Sequence, residues 1–197
     1  MKKVITIFLC VVMFLSCKKT IIEEKIPSEN HPPMHYKNFR DTGIGFTKWA
    51  SFDLNDDGSK DIYFSTLLLG DPIAKQDKKQ WNIQSSFFAN LPVNDKETIP
   101  QLNKGDSIPV NNFSDYTWYN ASNILLAQKV FHEYLAPPFW DGHWKAVQNR
   151  FVPIQIIQND KRYNGWVEIS FSMQTEKVIL HRSGISKLEN ITVLAGK

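Results

Sequence analysis

The sequence contains very little cysteine, and what it has lies at one end. The chain of 197 residues has two cysteines, Cys10 and Cys17. From residue 18 onward there is no thiol, which excludes an intrachain disulfide framework and a cysteine nucleophile from that part of the chain. A chain of this length can still bury a substantial hydrophobic core.

An excess of charge of either sign is lacking as well. The chain carries 23 basic and 20 acidic residues, a formal net charge of +3. Binding to nucleic acid phosphates needs a clustered surplus of Lys and Arg, so we expect no nucleic acid partner. The sequence also lacks a glycine-rich phosphate loop, a G-x-S-x-G elbow and the His-x-x-x-His spacing of a zinc helix. It therefore contains no familiar catalytic motif.

Long apolar runs are absent except at the start. Lys2 and Lys3 precede an apolar run over residues 4–15 that is too short to form a stable transmembrane helix. A charged start followed by such a run is typical of a secretory signal. The run ends with the small residue Ser16 directly before Cys17. We predict that residues 1–16 are a cleaved signal peptide.

Residues 1–19 resemble a bacterial lipoprotein signal, although Phe14 stands where a smaller aliphatic residue is usual. The resemblance implies that Cys17 is acylated and anchors the chain to a bacterial membrane, in the periplasm or at the cell surface. The alternative is an ordinary signal peptide, after which Cys17 carries no lipid. Residues 17–37 are polar and contain three prolines, which predicts a flexible tether. We expect residues 38–197 to form a single domain.

The apolar pattern of that domain predicts strands. Residues 166–174 alternate strictly between apolar and polar side chains, as in a strand with one face on the core and the other in water. Further strands are predicted at residues 46–54, 62–69, 81–91, 107–110, 151–157, 177–181 and 191–194. The apolar spacing of residues 120–131 fits either a strand or a short helix, and we take it as a helix. Closely spaced strands joined by turns favour an antiparallel β-sandwich.

An acidic stretch between two predicted strands has the spacing of a cation site. In residues 53–61, D-x-N-x-D-G-S-x-D, oxygen-bearing side chains recur at alternate positions and Gly58 permits a sharp turn. The predicted ligands are Asp53, Asn55, Asp57, Ser59 and Asp61. Carboxylates, an amide and a backbone carbonyl suit Ca²⁺ better than Zn²⁺. The alternative is a metal-free turn, for which Asn, Asp and Gly are equally usual.

This stretch resembles the first nine positions of an EF-hand loop and, more closely, the FG-GAP type of calcium loop found between strands of extracellular β proteins. It departs from the EF-hand at the twelfth position, where Phe64 replaces a bidentate Glu, and the flanking segments are not helical in pattern. The loop occurs once, which gives no basis for a propeller of repeated blades. The resemblance implies one structural calcium ion.

A second resemblance concerns architecture alone. Residues 151–171 are similar to a strand pair near the C-terminus of secreted bacterial β-sandwich proteins, in which an aromatic-Gly-Trp triplet opens a long strand. Here that triplet is Tyr163-Asn164-Gly165-Trp166, with one residue inserted. The resemblance implies a sandwich and no particular activity.

Two tryptophans form a candidate ligand-binding site. Trp140 and Trp144 are separated by Asp-Gly-His, and a loop of that kind can present flat rings that stack on sugars. The alternative is that both rings belong to the core, as large aromatic side chains usually do. Exposure of the rings would support sugar binding, and their burial would exclude it.

The sequence therefore predicts a lipid-anchored, calcium-stabilised β-sandwich of the cell envelope with a non-enzymatic binding role, its partner a glycan, a protein or another envelope component. One alternative is a carbohydrate-binding surface lipoprotein that uses Trp140 and Trp144. The other is a hydrolase of unrecognised type, for which Glu168 and Glu176 are a candidate carboxylate pair.

Overall fold

The computed structural model describes residues 31–120 and 122–197. Strands and connecting turns make up this part of the chain, and it contains no helix. In particular, these residues include no helical segment with the length and apolar character needed to cross a bilayer. The predicted signal peptide, Cys17 and the predicted tether as far as residue 30 lie outside the described residues.

The strands in chain order are β1 (Met34–Gly45), β2 (Ala50–Phe52), β3 (Ile62–Asp71), β4 (Gln76–Ser85), β5 (Ala89–Val93), β6 (Ser107–Ile108), β7 (Thr117–Asn120), β8 (Asn123–His132), β9 (Leu135–Asp141), β10 (Arg150–Gln158), β11 (Lys161–Ser172), β12 (Lys177–Ser186) and β13 (Val193–Leu194). A six-stranded sheet has the order β1-β12-β11-β10-β5-β7, and a five-stranded sheet has the order β2-β3-β4-β8-β9. β6 and β13 form a separate two-stranded sheet. All pairings are antiparallel.

The main core lies between the two large sheets and confirms the predicted antiparallel β-sandwich. Trp81 and Ile83 of β4 belong to the same buried cluster as Val167 and Ile169 of β11. These residues alternate along their strands, so each sheet presents one apolar face to the other. The sandwich is therefore held by burial of apolar area between two extended sheets.

A second, smaller core covers part of the other face of the six-stranded sheet. Trp166 is fully buried there and packs edge-on against Phe151, with ring centroids 5.2 Å apart. The rest of this cluster comes from Met34, Ile108, Val193 and Ala195. The short β6–β13 sheet therefore forms a third layer, and β11 is covered on both faces along part of its length.

The first strand begins earlier than the predicted domain boundary at residue 38. Met34 pairs with Ser186 of β12 and is buried in the second core. Residues 34–37, which were predicted as tether, therefore belong to the sandwich. Burial of Met34 supplies the physical reason, because an apolar anchor brings the preceding chain onto the sheet edge.

The helix predicted at residues 120–131 is wrong, because the segment forms most of β8. Its pairing with β4 contains a β-bulge, at which the register shifts between Trp81 and Asn82. Ile124 and Ala127 are three residues apart, yet both are buried, opposite Ile83 and Trp81 respectively. The bulge inserts one residue and so gives a strand the apolar spacing of a helix.

The strand predicted at residues 81–91 is in fact two strands in different sheets. β4 ends at Ser85, and β5 begins at Ala89. Between them the chain turns at Ser86, whose carbonyl accepts a hydrogen bond from Ala89 N at 3.2 Å. Phe87 and Phe88 are exposed at this crossover, so these two apolar residues belong to no strand and to neither core.

Candidate functional site

The acidic stretch forms a closed loop between two paired strands. Phe52 at the end of β2 pairs with Ile62 at the start of β3. Asp61 N also donates to Phe52 O at 2.9 Å. Residues 53–61 therefore form a compact loop whose ends are held together by the sheet, and this loop is called the acidic loop below.

Asp53 organises the turn of the acidic loop. Its Oδ1 accepts hydrogen bonds from Asp56 N at 2.7 Å and Asn55 N at 3.2 Å, and its Oδ2 accepts one from Gly58 N at 2.9 Å. Gly58 adopts a φ of 91°, which is accessible to glycine at little cost. The first predicted ligand therefore points into the loop, as the spacing requires, and caps its backbone amides.

The middle of the loop is satisfied by its own donors. Asn55 Nδ2 donates to Asp57 Oδ2 at 3.0 Å, and Ser59 N donates to Asp57 Oδ1 at 2.8 Å. Within the part of the chain that the structure describes, no group of three or more His, Cys, Asp or Glu side chains is arranged to hold a metal ion. A cation bound here would therefore have to replace the hydrogen bond between Asn55 and Asp57.

Asp61 is the buried member of the predicted ligand set, since only 1 % of the residue is exposed. Burial, together with the smaller effect of the neighbouring carboxylates of Asp57 and Asp53, raises the pKa of Asp61 to about 6. The hydrogen bond from Leu54 N to Asp61 Oδ2, at 2.6 Å, acts in the opposite direction. A carboxylate in this position is costly when charged, and a nearby cation would offset that cost.

Three of the predicted ligands share one cleft. Asp57, Ser59 and Asp61 line a cleft of about 310 Å³ together with Gln158 at the end of β10 and Asn159 in the turn that follows, and the rest of the lining is apolar: Phe88, Ile156 and Ile157. Gln158 and Asn159 bring two amide side chains, whose oxygens are of the kind that Ca²⁺ accepts, to the opposite wall. The acidic loop thus faces potential oxygen ligands from the other sheet.

Phe64, which stands where an EF-hand has its bidentate Glu, is part of the core. It is 1 % exposed and packs against Phe52 at a centroid distance of 6.2 Å. Its position on a strand, rather than on a helix leaving the loop, accounts for the difference, because β3 turns this residue toward the sandwich interior. Any further ligand must therefore come from outside the loop.

Asp56 lies outside the predicted set and already has two basic side chains, Lys37 and His35, as partners. Its Oδ1 lies 2.5 Å from Lys37 Nζ, and its Oδ2 lies 2.9 Å from His35 Nε2. The hydrogen bond from Lys37 lowers the pKa of Asp56 below its ordinary value. Lys37 Nζ also donates to the backbone carbonyl of Asp53. β1 therefore neutralises one of the four loop carboxylates.

The two candidate sugar-binding tryptophans lie against the core. Trp144 is 1 % exposed. Trp140 is half-buried, with its ring centroid 5.4 Å from those of both Trp81 and Phe171. Trp144 has no free face on which a sugar can stack, so the structure gives no support to the use of these two rings together as a stacking platform.

The candidate carboxylate pair is neutralised by cations. Glu168 Oε2 lies 2.6 Å from Arg182 Nε, and Glu176 Oε1 lies 2.6 Å from Lys129 Nζ. Lys79 Nζ also approaches Glu176 at 3.8 Å. Each acid is thus held in its own ion pair, an arrangement that does not favour a glycosidase-like dyad.

A chain of hydrogen bonds that sequence spacing did not indicate joins Ser170, His181 and Asp41. Ser170 Oγ lies 2.7 Å from His181 Nε2, and His181 Nδ1 lies 2.6 Å from Asp41 Oδ1. The order matches a serine hydrolase triad, but Ser170 is 1 % exposed and its Oγ accepts a hydrogen bond from Asn149 N at 2.9 Å. A nucleophile must reach its substrate, so this arrangement suits a structural link better than catalysis.

The acidic loop is therefore the predicted site for which the geometry offers most. Its turn is ordered by Asp53, its buried carboxylate is Asp61, and its open side faces the β10–β11 turn. Comparisons of the chain with protein-family models, with curated proteins and with solved structures find no match.

Proposed function

We propose that this chain is a lipid-anchored β-sandwich of the bacterial cell envelope, stabilised by one calcium ion in the acidic loop, with a non-enzymatic binding role. The lipoprotein-like leader supports the anchor and the location. The chain has no cysteine after residue 17, so no disulfide can stabilise the sandwich and a bound ion could supply a link of that kind.

The observation that carries the calcium proposal is the shared cleft. Asp57, Ser59 and the buried Asp61 approach it from the five-stranded sheet, and the β10–β11 turn approaches it from the six-stranded sheet. A cation bound between these walls would link the two sheets at one end of the sandwich. Such an ion binds the folded chain and not the unfolded chain, so it raises the free energy of unfolding.

The test is a thermal unfolding measurement on the full-length chain in detergent, with CaCl₂ or with EGTA. We expect Ca²⁺ to raise the melting temperature with a half-maximal effect at about 10⁻⁴–10⁻³ M, the range of weak extracellular sites. MgCl₂ at the same concentration should have a smaller effect, because Mg²⁺ demands a tighter octahedral shell.

The matched variants are Asp57→Asn in the acidic loop and Asp95→Asn in the exposed turn after β5. Asp57→Asn should abolish the calcium response, and Asp95→Asn should keep it. An unchanged melting temperature of the wild-type chain at millimolar Ca²⁺ would leave the acidic loop a metal-free turn.

A further inference from the structure

A row of amide side chains crosses four strands of the six-stranded sheet. In the strand register, Asn120 of β7 pairs with Asn90 of β5, Asn90 with Gln155 of β10, and Gln155 with Asn164 of β11. The side chains of the last three are joined by hydrogen bonds from Asn90 Nδ2 to Gln155 Oε1 at 3.0 Å and from Gln155 Nε2 to Asn164 Oδ1 at 2.9 Å, whereas Asn120 Nδ2 donates to Phe87 O at 3.2 Å. We call this row the amide ladder.

One end of the amide ladder is buried and fully engaged. Gln155 is 1 % exposed and Asn164 is 0 % exposed. Asn164 Nδ2 donates to the carbonyls of Ile108 and Ile191, both at 3.1 Å, and Gln155 Nε2 also donates to Val110 O at 3.0 Å. Buried amides with all these partners are rigid, so they hold the next amide in the row in a fixed orientation.

The other end of the ladder opens into a cleft of about 370 Å³ beside the second core. The cleft is lined by Asn90, Asn111, Asn112, Trp118, Gln155 and Arg162. Asn90 Oδ1 has no hydrogen-bond donor among the described residues, so it is available to a ligand. We call this site the amide cleft.

Trp118 and Arg162 add a ring and a positive charge to the amide cleft. Trp118 Nε1 donates to Asn111 O at 3.3 Å, which fixes the half-buried indole at the rim. Arg162 is exposed, and its guanidinium contacts Asn111 Oδ1 at 3.4 Å through Nη1. None of the described residues that line the cleft is acidic, so most of the guanidinium donors remain available to an anion.

This combination matches the chemistry of an acidic saccharide. Amides donate and accept hydrogen bonds at once, as adjacent ring hydroxyls do, and an aromatic ring stacks on the apolar face of a sugar. A guanidinium binds a carboxylate through paired N–H groups. A lipid or another apolar ligand would leave the amides without partners, which is costly.

We propose that the amide cleft binds a saccharide that carries a carboxylate, with the hydroxyls on Asn90 and Asn112, a ring against Trp118 and the carboxylate on Arg162. The inference rests on the binding role proposed above and specifies its ligand class. It does not depend on calcium, because the described residues that line the amide cleft differ from those that line the cleft of the acidic loop.

The experiment is isothermal titration of the full-length chain in detergent with uronic acid trisaccharides built from galacturonate, glucuronate or mannuronate. Each is paired with its methyl ester, which keeps the ring and removes the charge. We expect at least one acid to bind and its ester to bind at least about tenfold more weakly, the loss that one charge-assisted contact predicts.

Variants locate the binding. Arg162→Gln should lower the affinity for the acid by about tenfold and leave the affinity for the ester unchanged. Trp118→Ala should lower the affinity for both ligands, and Trp118→Phe should restore part of it. Arg40→Gln, on β1 at the opposite edge of the same sheet, is the matched control and should bind as the wild type does. Asn112 Oδ1 accepts a hydrogen bond from Trp118 N at 3.1 Å, so Asn112→Ala removes a hydroxyl contact and loosens the segment that carries the ring, and it should weaken binding of the acid and of the ester alike.

The proposal is overturned if none of the three acids binds at about 10 mM, a concentration above even weak sugar affinities. Equal affinity for acid and ester, or binding that Arg162→Gln and Trp118→Ala both leave unchanged, would also overturn it. All titrations are made in EGTA and repeated in CaCl₂. Loss of sugar binding with an intact calcium shift contradicts the amide cleft alone, and the reverse contradicts the calcium loop alone.

Discussion

The hydroxyl of Ser170 lies 2.7 Å from His181 Nε2, on the face of the six-stranded sheet that points away from the main core. Ser170 Oγ also accepts the backbone N–H of Asn149, which belongs to the segment before β10. Asp41, at a bulge of β1, completes the chain from the other side of the imidazole. These contacts join β1, β11, β12 and the approach to β10 through polar side chains that are not part of either core.

The first prediction concerns this link. Ser170→Ala should lower the free energy of unfolding by about 1–3 kcal/mol, because it leaves the N–H of Asn149 without its buried acceptor. Urea denaturation followed by tryptophan fluorescence measures the change. Ser172→Ala, two residues further along β11, is the control and should have a smaller effect. A fluorophosphonate probe should not label Ser170 in the folded wild-type chain, and labelling that the Ser170→Ala variant abolishes would revive the hydrolase.

The second prediction concerns the buried charge of the acidic loop. Asp61→Asn keeps a carbonyl oxygen for the Leu54 amide and removes the negative charge. In EGTA at pH 7 we expect the variant to be more stable than the wild type by about 1–3 kcal/mol, since burial disfavours the charged carboxylate. In CaCl₂ the order should reverse, because the variant has lost a ligand. Thermal unfolding in the two buffers measures both effects, and a variant that is less stable than the wild type in EGTA would contradict the account.

The third prediction concerns acid. The hydrogen bond from Gln128 Nε2 to Asp141 Oδ2, at 2.9 Å, lowers the pKa of Asp141, and the backbone amide of Gly142 lowers it further. A lowered pKa means that the folded state binds fewer protons, so this contribution to stability is present above the ordinary value of 3.8 and is lost as pH falls through the folded value.

Asp141→Asn should therefore show a shallower loss of stability below pH 4 than the wild type. Gln128→Ala, which removes the main donor and keeps the carboxylate, should show part of this change, because the backbone amide of Gly142 still lowers the pKa of Asp141. Urea midpoints measured across the acid range give the comparison. An acid dependence identical in the wild type and both variants would show that the pair contributes nothing.

The fourth prediction concerns the anchor. In a bacterium that processes lipoproteins, Cys17→Ser should move the chain from the membrane fraction to the soluble fraction, because the thiol that would carry the lipid is gone. Cys10→Ser is the matched control, since Cys10 lies in the predicted leader and should leave the distribution unchanged. Mass spectrometry of the mature N-terminus checks the modification directly. Membrane association that survives Cys17→Ser would contradict the lipoprotein prediction.

Local pattern predicted most of the strands and the turn of the acidic loop. Residues 62–69, 151–157 and 177–181 were predicted as strands and lie within β3, β10 and β12. Their patterns are simple, because apolar or alternating residues at strand period have no competing helical interpretation. The loop conformation was predictable for a similar reason, since Asp53 and Gly58 act through contacts a few residues away.

Residues 120–131 show where local pattern failed. Their apolar residues have the spacing of a helix, and this spacing fits a strand only because of a bulge in the pairing of β8 with β4. Trp140 and Trp144 show the same limit for function, since nothing in the surrounding residues states whether a ring meets Phe171 or solvent. Both answers depend on residues far away in the chain.

The sequence by itself determined that the chain is built from strands, that residues 53–61 turn back on themselves, and that no disulfide joins residues beyond Cys17. These properties follow from side-chain period, local hydrogen bonding and composition. The tertiary structure alone decided that Asp61 is buried beside the β10–β11 turn, and that Asn90, Gln155 and Asn164 form one ladder. The physical reason is strand register, because antiparallel pairing brings together residues that are distant in the chain and so creates polar sites that no local spacing encodes.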